Sequence, residues 1–160
     1  MTRDIETLVQ TAGPGSVLVD LHMYGDLRCL SLIRRIIVAS AAAVKISFQV
    51  LSDIKLAVTE ACTNVIRHAY KYDHARKFVI QLQVSEHVYQ IRISYEDPGF
   101  DPATIPVPNL MCIKEGGFGV FIIRKIMDDV LYVTDKMSGG VELRMVKRLD
   151  SVISGSGSGG

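Results

Sequence analysis

A chain of 160 residues is long enough for one domain with a buried core, and 48% hydrophobic residues argue against intrinsic disorder. Lys+Arg 18 against Asp+Glu 17 leaves a formal net charge of +1, which offers no electrostatic footprint for nucleic acid or an anionic membrane. Cys29, Cys62 and Cys112 are widely spaced and form no CxxC pair, which fits neither a zinc cluster nor a disulfide framework.

The N-terminus, MTRDIETLVQ, carries acids and no long apolar run, so it is not a signal peptide. Free thiols fit a reducing compartment, and the expected location is the cytoplasm. Residues 1–15 read as a flexible leader that ends at the turn Gly13-Pro14-Gly15. Residues 16–24 are β-branched and partly alternating, a strand. After Gly25-Asp26, residues 27–43 are helical, with Leu27, Leu30, Ile33, Ile37 and Ala41 on one stripe. Arg34, Arg35 and Lys45 interrupt this most apolar stretch, which argues against a membrane span.

Residues 45–50 form a connector. Ser52 or Asp53 can cap a second helix that runs to about residue 72, burying Ile54, Ala57, Val58, Ala61, Val65 and Ala69. Residues 77–85 and 87–95 alternate on either side of a short polar turn, an antiparallel hairpin. Pro98, Pro102, Pro106 and Pro108 then break the pattern, leaving a loop of roughly twenty residues, a length that is usually functional or disordered. Residues 118–128 return to helix, and 130–135 and 141–149 are strands joined by Ser138-Gly139-Gly140. The domain is thus expected over 16–150. Residues 151–160 make a flexible Gly/Ser tail, either native or a cloning remnant. The element order predicts an α+β two-layer sandwich, a mostly antiparallel sheet covered on one face by helices.

Three segments carry chemistry. Glu60, Asn64 and His68 follow at i, i+4 and i+8 along one helical stripe, flanked by Thr63, Arg67 and Tyr70. A carboxylate and an amide oxygen one turn apart can share a magnesium ion, or the carboxylate can take a proton. The same spacing also describes the solvent face of an ordinary amphipathic helix. Glu115-Gly116-Gly117-Phe118-Gly119 stands directly before a helix, where glycines let the backbone approach a ligand and helix N–H groups favour phosphate; the alternative is a plain helix start. Neither GxxxxGKS nor a GxGxxG after a strand is present. The third segment, Glu96-Asp97-Pro98-Gly99-Phe100-Asp101-Pro102, ends a strand and reads equally well as turn chemistry.

In this order and at these separations the three segments resemble the anti-sigma-factor serine kinases, small members of the superfamily of gyrase, histidine-kinase and heat-shock-chaperone ATPases. LAVTEACTNVIRHAY is similar to the family's first nucleotide box, ExxxN followed by His-Ala-Tyr; EGGFGVFIIRKIMDDV is similar to its glycine box, and PGFDP to the end of its middle box. The resemblance implies a histidine-kinase-like ATPase fold with ATP and Mg2+ as cofactors. It implies Glu60 as general base, Asn64 as magnesium ligand and His68 near the phosphates. Gly116, Gly117, Phe118 and Gly119 would cradle the nucleotide, under a lid of residues 104–116. It further implies a homodimer, a sigma factor as partner, and an antagonist protein that accepts phosphate on serine; direct nucleic-acid and membrane contact are not expected.

One departure stands out. The family's middle box reads Asp-x-Gly-x-Gly, its Asp holding the adenine amino group. An ungapped alignment puts Tyr95 there, with Asp97 at the first glycine and Gly99 following; strand alternation of Ile91, Ile93 and Tyr95 supports that register. A slip of two makes Asp97 the adenine contact instead. In the last strand, Gly140-Val141 replaces the usual Gly-Thr. The kinase reading therefore stands beside a non-catalytic module of the same fold that sequesters its partner, and a detached ATP-hydrolysing domain is a third.

Overall fold

The computed structural model describes residues 7–11, 16–105 and 118–149. Strand β1 is Thr7–Thr11, β2 Val17–Tyr24, β3 Lys77–Val84, β4 Val88–Glu96, β5 Asp129–Asp135 and β6 Gly140–Arg148. Helix α1 is Leu30–Ala41, entered through a 3-10 turn at Leu27–Cys29; α2 is Phe48–Asn64 and α3 Phe118–Ile126. The strands form a single sheet in the order β1-β2-β3-β4-β6-β5, every neighbouring pair antiparallel.

Register explains the core. Alternation sends every second side chain to the same face, and the pairing aligns those side chains across the strands. Leu21 faces Ile80, Ile80 faces Ile93, and Ile93 faces Leu143. Val19, Leu82, Ile91 and Met145 make the next row. All eight are buried, under Ile33, Ile37 and Ala41 of α1 and Ile54, Ala57, Val58 and Ala61 of α2. The other face is polar, with Gln81 donating to Asp20 at 2.7 Å and Arg144 paired with Glu142. The two-layer, antiparallel α+β sandwich expected from the element order is the architecture present.

Three expectations need correction. Within residues 1–15, Thr7–Thr11 is a paired strand and not a loose leader; it satisfies the backbone groups that β2 would otherwise leave open at the sheet edge. Residues 12–15 and 151–160 lie outside the described residues. The second helix is capped by Ser47, whose hydroxyl accepts from the N–H of Val50 at 3.2 Å, and not by Ser52 or Asp53. Part of the segment read as a connector is therefore first-turn helix, unmarked by an apolar stripe because Phe48 is 82% exposed. Asp53 instead accepts from Gln49 and pairs with Lys147. The helix also changes before residue 72: Val65–Ala69 is a π turn, with Tyr70 N–H donating to the carbonyl of Val65. Lys71 and Tyr72 follow at φ of 47° and 63° and end it. No helix among the described residues is long and apolar enough to cross a membrane.

Candidate functional site

A cleft of about 430 Å³ opens between the end of α2, the start of α3, the end of β4 and the middle of β5. Helix α2 contributes Asn64, its apolar stripe fixing which side of the helix faces outward. The π turn then carries His68, exposed, and Ala69 onto the same wall. Five-residue spacing of the turn's hydrogen bond rotates the residues after it relative to a regular helix, so the i, i+4, i+8 stripe is not straight at His68.

Glu60 stands one turn before Asn64. Its Oε2 lies 3.0 Å from the position that a β-carbon on Gly119 would take, and the amide Nδ2 and Oδ1 of Asn64 lie 3.1 and 3.2 Å from that point. Carboxylate, amide and the first turn of α3 therefore meet at one spot. A glycine lets α3 come this close with Glu60 and Asn64 undisturbed; a β-carbon here would push those side-chain ends aside. Glu60 is half-buried and close behind the cleft wall. The neighbouring carboxylate and amide oxygens are the hard donors magnesium accepts, the rest of its shell coming from water and phosphate. Among the described residues no group of three or more His, Cys, Asp or Glu could hold a metal by itself.

The opposite wall is the end of β4. Tyr95 and Asp97, the two candidates for the adenine contact, both line the cleft. Tyr95 continues the core-facing row of Ile91 and Ile93. Its ring meets Phe100 edge-on with centroids 6.5 Å apart, and Phe100 meets Tyr132 of β5 at 5.1 Å. Burial pushes the Tyr95 phenol well above its ordinary pKa, helped by Tyr132, Asp97 and Tyr70 nearby, so it stays protonated. Asp97 N–H donates to the carbonyl of Gly139 at 2.9 Å, tying this wall to the β5–β6 turn.

The two walls are clamped together at their base. The Tyr70 hydroxyl donates to the Lys77 carbonyl at 2.6 Å and accepts from the N–H of Glu96 at 3.4 Å. Arg76 lies 4.0 Å over the Tyr70 ring and donates both to Ala69 O at 3.1 Å and to Glu96 O at 2.6 Å. Tyr70 is buried rather than flanking an exposed stripe.

Of the residues singled out from sequence, Asn64, His68, Tyr95, Asp97 and Gly119 share the cleft, and Glu60 stands behind it. Gly99 sits in an exposed turn, and Phe118 opens α3 half-buried, one residue before Gly119. Glu115, Gly116 and Gly117 lie outside the described residues, as does the lid segment beyond residue 105 and Cys112. Sequence reading missed Phe100, Val120, Tyr132 and the clamp residue Arg76. Phe100 stood inside a quoted motif and could have been found as an apolar residue in a polar turn; Tyr132 and Arg76 carry no local signal. Of the basic residues on α1 and the 3-10 turn before it, Arg34 and Arg35 line a shallow groove with Val38 and Lys55. Arg28 stands apart, bound to Asp26.

Comparison with known proteins adds three findings. The family model described as the histidine kinase-like ATPase domain matches residues 24–147. "Serine-protein kinase RsbW" of Bacillus licheniformis and that of Bacillus subtilis (strain 168) are each 29% identical over 130 residues, covering 76% of this chain and 79% of the relative. "Serine-protein kinase RsbW" of Oceanobacillus iheyensis is 34% identical over 92 residues, 52% of this chain and 58% of the relative. Among solved structures, the RsbU and RsbW domains of a Mycobacterium tuberculosis protein superimpose with a TM-score of 0.57 at 14% identity. That match takes in 81% of this chain and 32% of the other, and bears on the fold alone.

Proposed function

Because the chain belongs to the histidine kinase-like ATPase family, we propose that it is an ATP-binding anti-sigma regulatory factor with protein-serine kinase activity, acting in the cytoplasm. It sequesters a sigma factor and phosphorylates an antagonist protein on serine, working as a homodimer. The observation that carries this reading is the meeting of Glu60, Asn64 and Gly119 at one point of the cleft wall. The relatives named serine-protein kinase support the reaction class.

Phosphoryl transfer asks a protein mainly for positioning and for charge neutralisation. Glu60 takes the proton of the incoming serine hydroxyl as its oxygen bonds to the γ-phosphorus and the bond to the ADP oxygen breaks. Asn64 offers an amide oxygen to Mg2+, which neutralises phosphate charge when bound. Gly119 keeps the first turn of α3 free of a side chain, so backbone N–H groups at that helix start face the phosphates. His68 lines the exposed phosphate side, and the end of the cleft lined by Tyr95, Phe100 and Tyr132 takes the base. Gly116, Gly117 and Phe118 belong to the same cradle by their place in the sequence.

The test is calorimetric. Titration of ATP into the full chain is expected to give magnesium-dependent binding, weakened at least about tenfold in Asn64→Ala, the loss of one charge-assisted contact. Transfer of radiolabel to a serine-bearing antagonist is expected to fall about 10²- to 10⁴-fold in Glu60→Gln, the usual contribution of a general base. Absence of binding at millimolar ATP sinks the kinase and leaves the second reading, a sequestering module without nucleotide turnover. Tyr95 favours that alternative if the ungapped register holds, since a phenol would then stand where the resembled family has its adenine-holding carboxylate.

A further inference from the structure

The base end of the cleft is built unlike a site that selects one purine. Three aromatic rings, Tyr95, Phe100 and Tyr132, stand in sequence along it. Aromatic rings accept the face of any base, since every base has a π-face. Discrimination between purines must then come from polar groups at the base edge. Two side chains on this wall can supply it, the Tyr95 hydroxyl and the Asp97 carboxylate.

Adenine presents an amino donor at the position where guanine presents a carbonyl acceptor. A carboxylate only accepts hydrogen bonds, so beside that position it rewards adenine and repels guanine. A phenol both donates and accepts, turning its proton to suit the partner. Among the described residues the Tyr95 hydroxyl has no hydrogen-bond partner, so neither role is already taken. Asp97 adds an acceptor that serves the adenine amino group or the ring N–H and amino group of guanine. Its own backbone N–H is held by Gly139, which keeps it on the wall.

We propose that this cleft binds guanine and adenine nucleoside triphosphates with comparable affinity, and that Tyr95 is the residue that sets this tolerance. The proposal rests on the nucleotide-binding reading above and narrows it to the base that is bound. The Tyr95 hydroxyl, protonated at neutral pH as an ordinary phenol is and held so by burial, supplies the donor that a guanine carbonyl needs. Replacing Tyr95 by aspartate removes both the donor and one ring, leaving two acceptors at the base edge.

Mg–ATP and Mg–GTP are titrated separately into the full chain by calorimetry, then into Tyr95→Asp and Tyr95→Phe. The wild-type affinities are expected to differ by less than about tenfold, the scale of one well-placed hydrogen bond. Tyr95→Asp is expected to favour ATP by about tenfold or more, a carboxylate beside guanine facing an acceptor it cannot satisfy. Tyr95→Phe keeps the ring, so it preserves the fold if the aspartate variant does not. It weakens both nucleotides together. A wild-type preference of tenfold or more for either base overturns the tolerance while leaving the nucleotide site intact. An unchanged ratio in folded Tyr95→Asp overturns the role of Tyr95. Failure of both nucleotides to bind removes the nucleotide reading itself, and this inference with it.

Discussion

Gly119 joins local conformation to site chemistry within one residue. A β-carbon there meets Glu60 Oε2 at 3.0 Å and the Asn64 amide at 3.1 and 3.2 Å, all flexible side-chain ends. Alanine is the better helix former by about 1 kcal/mol, so Gly119→Ala is expected to leave the melting temperature unchanged or slightly raised. The displaced carboxylate and amide are expected to weaken magnesium-dependent ATP binding about tenfold, as for one lost charge-assisted contact. Thermal melts beside ATP titrations check both halves; a variant that melts early and binds normally contradicts the assignment. A second residue-scale effect is acid sensitivity at Asp26. Its carboxylate accepts from the Arg28 guanidinium at 2.8 Å and from the Arg28 N–H at 2.9 Å, and the guanidinium bond, then the N–H, lower its pKa to about 2. A carboxylate depressed in the folded state stabilises fully above its unfolded pKa of about 3.9, and that part is lost as pH falls towards 2. Solvent and salt screen the Arg28 partner, which keeps the effect small. Melting temperature followed from pH 6 to pH 2 is expected to fall less steeply in Asp26→Asn, and equal slopes would count against the coupling.

At the scale of elements, the turn between β5 and β6 decides how the base wall stands. Gly139 adopts φ +73°, and a β-carbon there would meet Pro98 at 2.9 Å. The same residue accepts the N–H of Asp97. Gly139→Ala is expected to destabilise the fold by about 1–3 kcal/mol, the range for a residue forced into a sparsely populated backbone region. Because Pro98 and Asp97 must move together, nucleotide affinity is expected to fall with it, where a remote substitution of equal cost leaves affinity alone. Urea melts and ATP titrations on the same variant separate these outcomes. The π turn at the end of α2 belongs to this scale as well. Ordinary helical periodicity brought out Glu60 and Asn64, but it does not distinguish a π turn from a regular helix end. Just past that turn Tyr70 is buried against Phe78, bonded to Lys77 and covered by Arg76.

Over the whole molecule, the aligned rows of the sheet carry stability and the cleft rests on them. Ile80 is fully buried between Leu21 and Ile93. Ile80→Ala is expected to cost about 2–5 kcal/mol through lost burial and a residual cavity. Phe48, 82% exposed at the start of α2, is expected to tolerate serine within about 0.5 kcal/mol. Chemical denaturation of the two variants gives the comparison, and a large loss at Phe48 would mean that this surface is packed in solution.

The sequence alone determined the kinds of element and their order from β2 onward, the β3–β4 hairpin, the buried stripes of α1 and α2, and the pairing of Glu60 with Asn64. Each of these depends on periodicity or on turn residues within a few positions, which local sterics and burial settle. Tertiary structure alone decided that Thr7–Thr11 closes one edge of the sheet, and that β6 inserts between β4 and β5. That insertion brings Gly139 under Asp97 and Tyr132 opposite Phe100, across stretches of chain that no local pattern links. It also decided that both Tyr95 and Asp97 face the cleft, which sequence could pose only as alternatives. The physical reason is common to all of these. A backbone hydrogen bond or an aromatic contact between distant segments depends on where the whole chain places its strands, and a window of neighbouring residues does not contain that information.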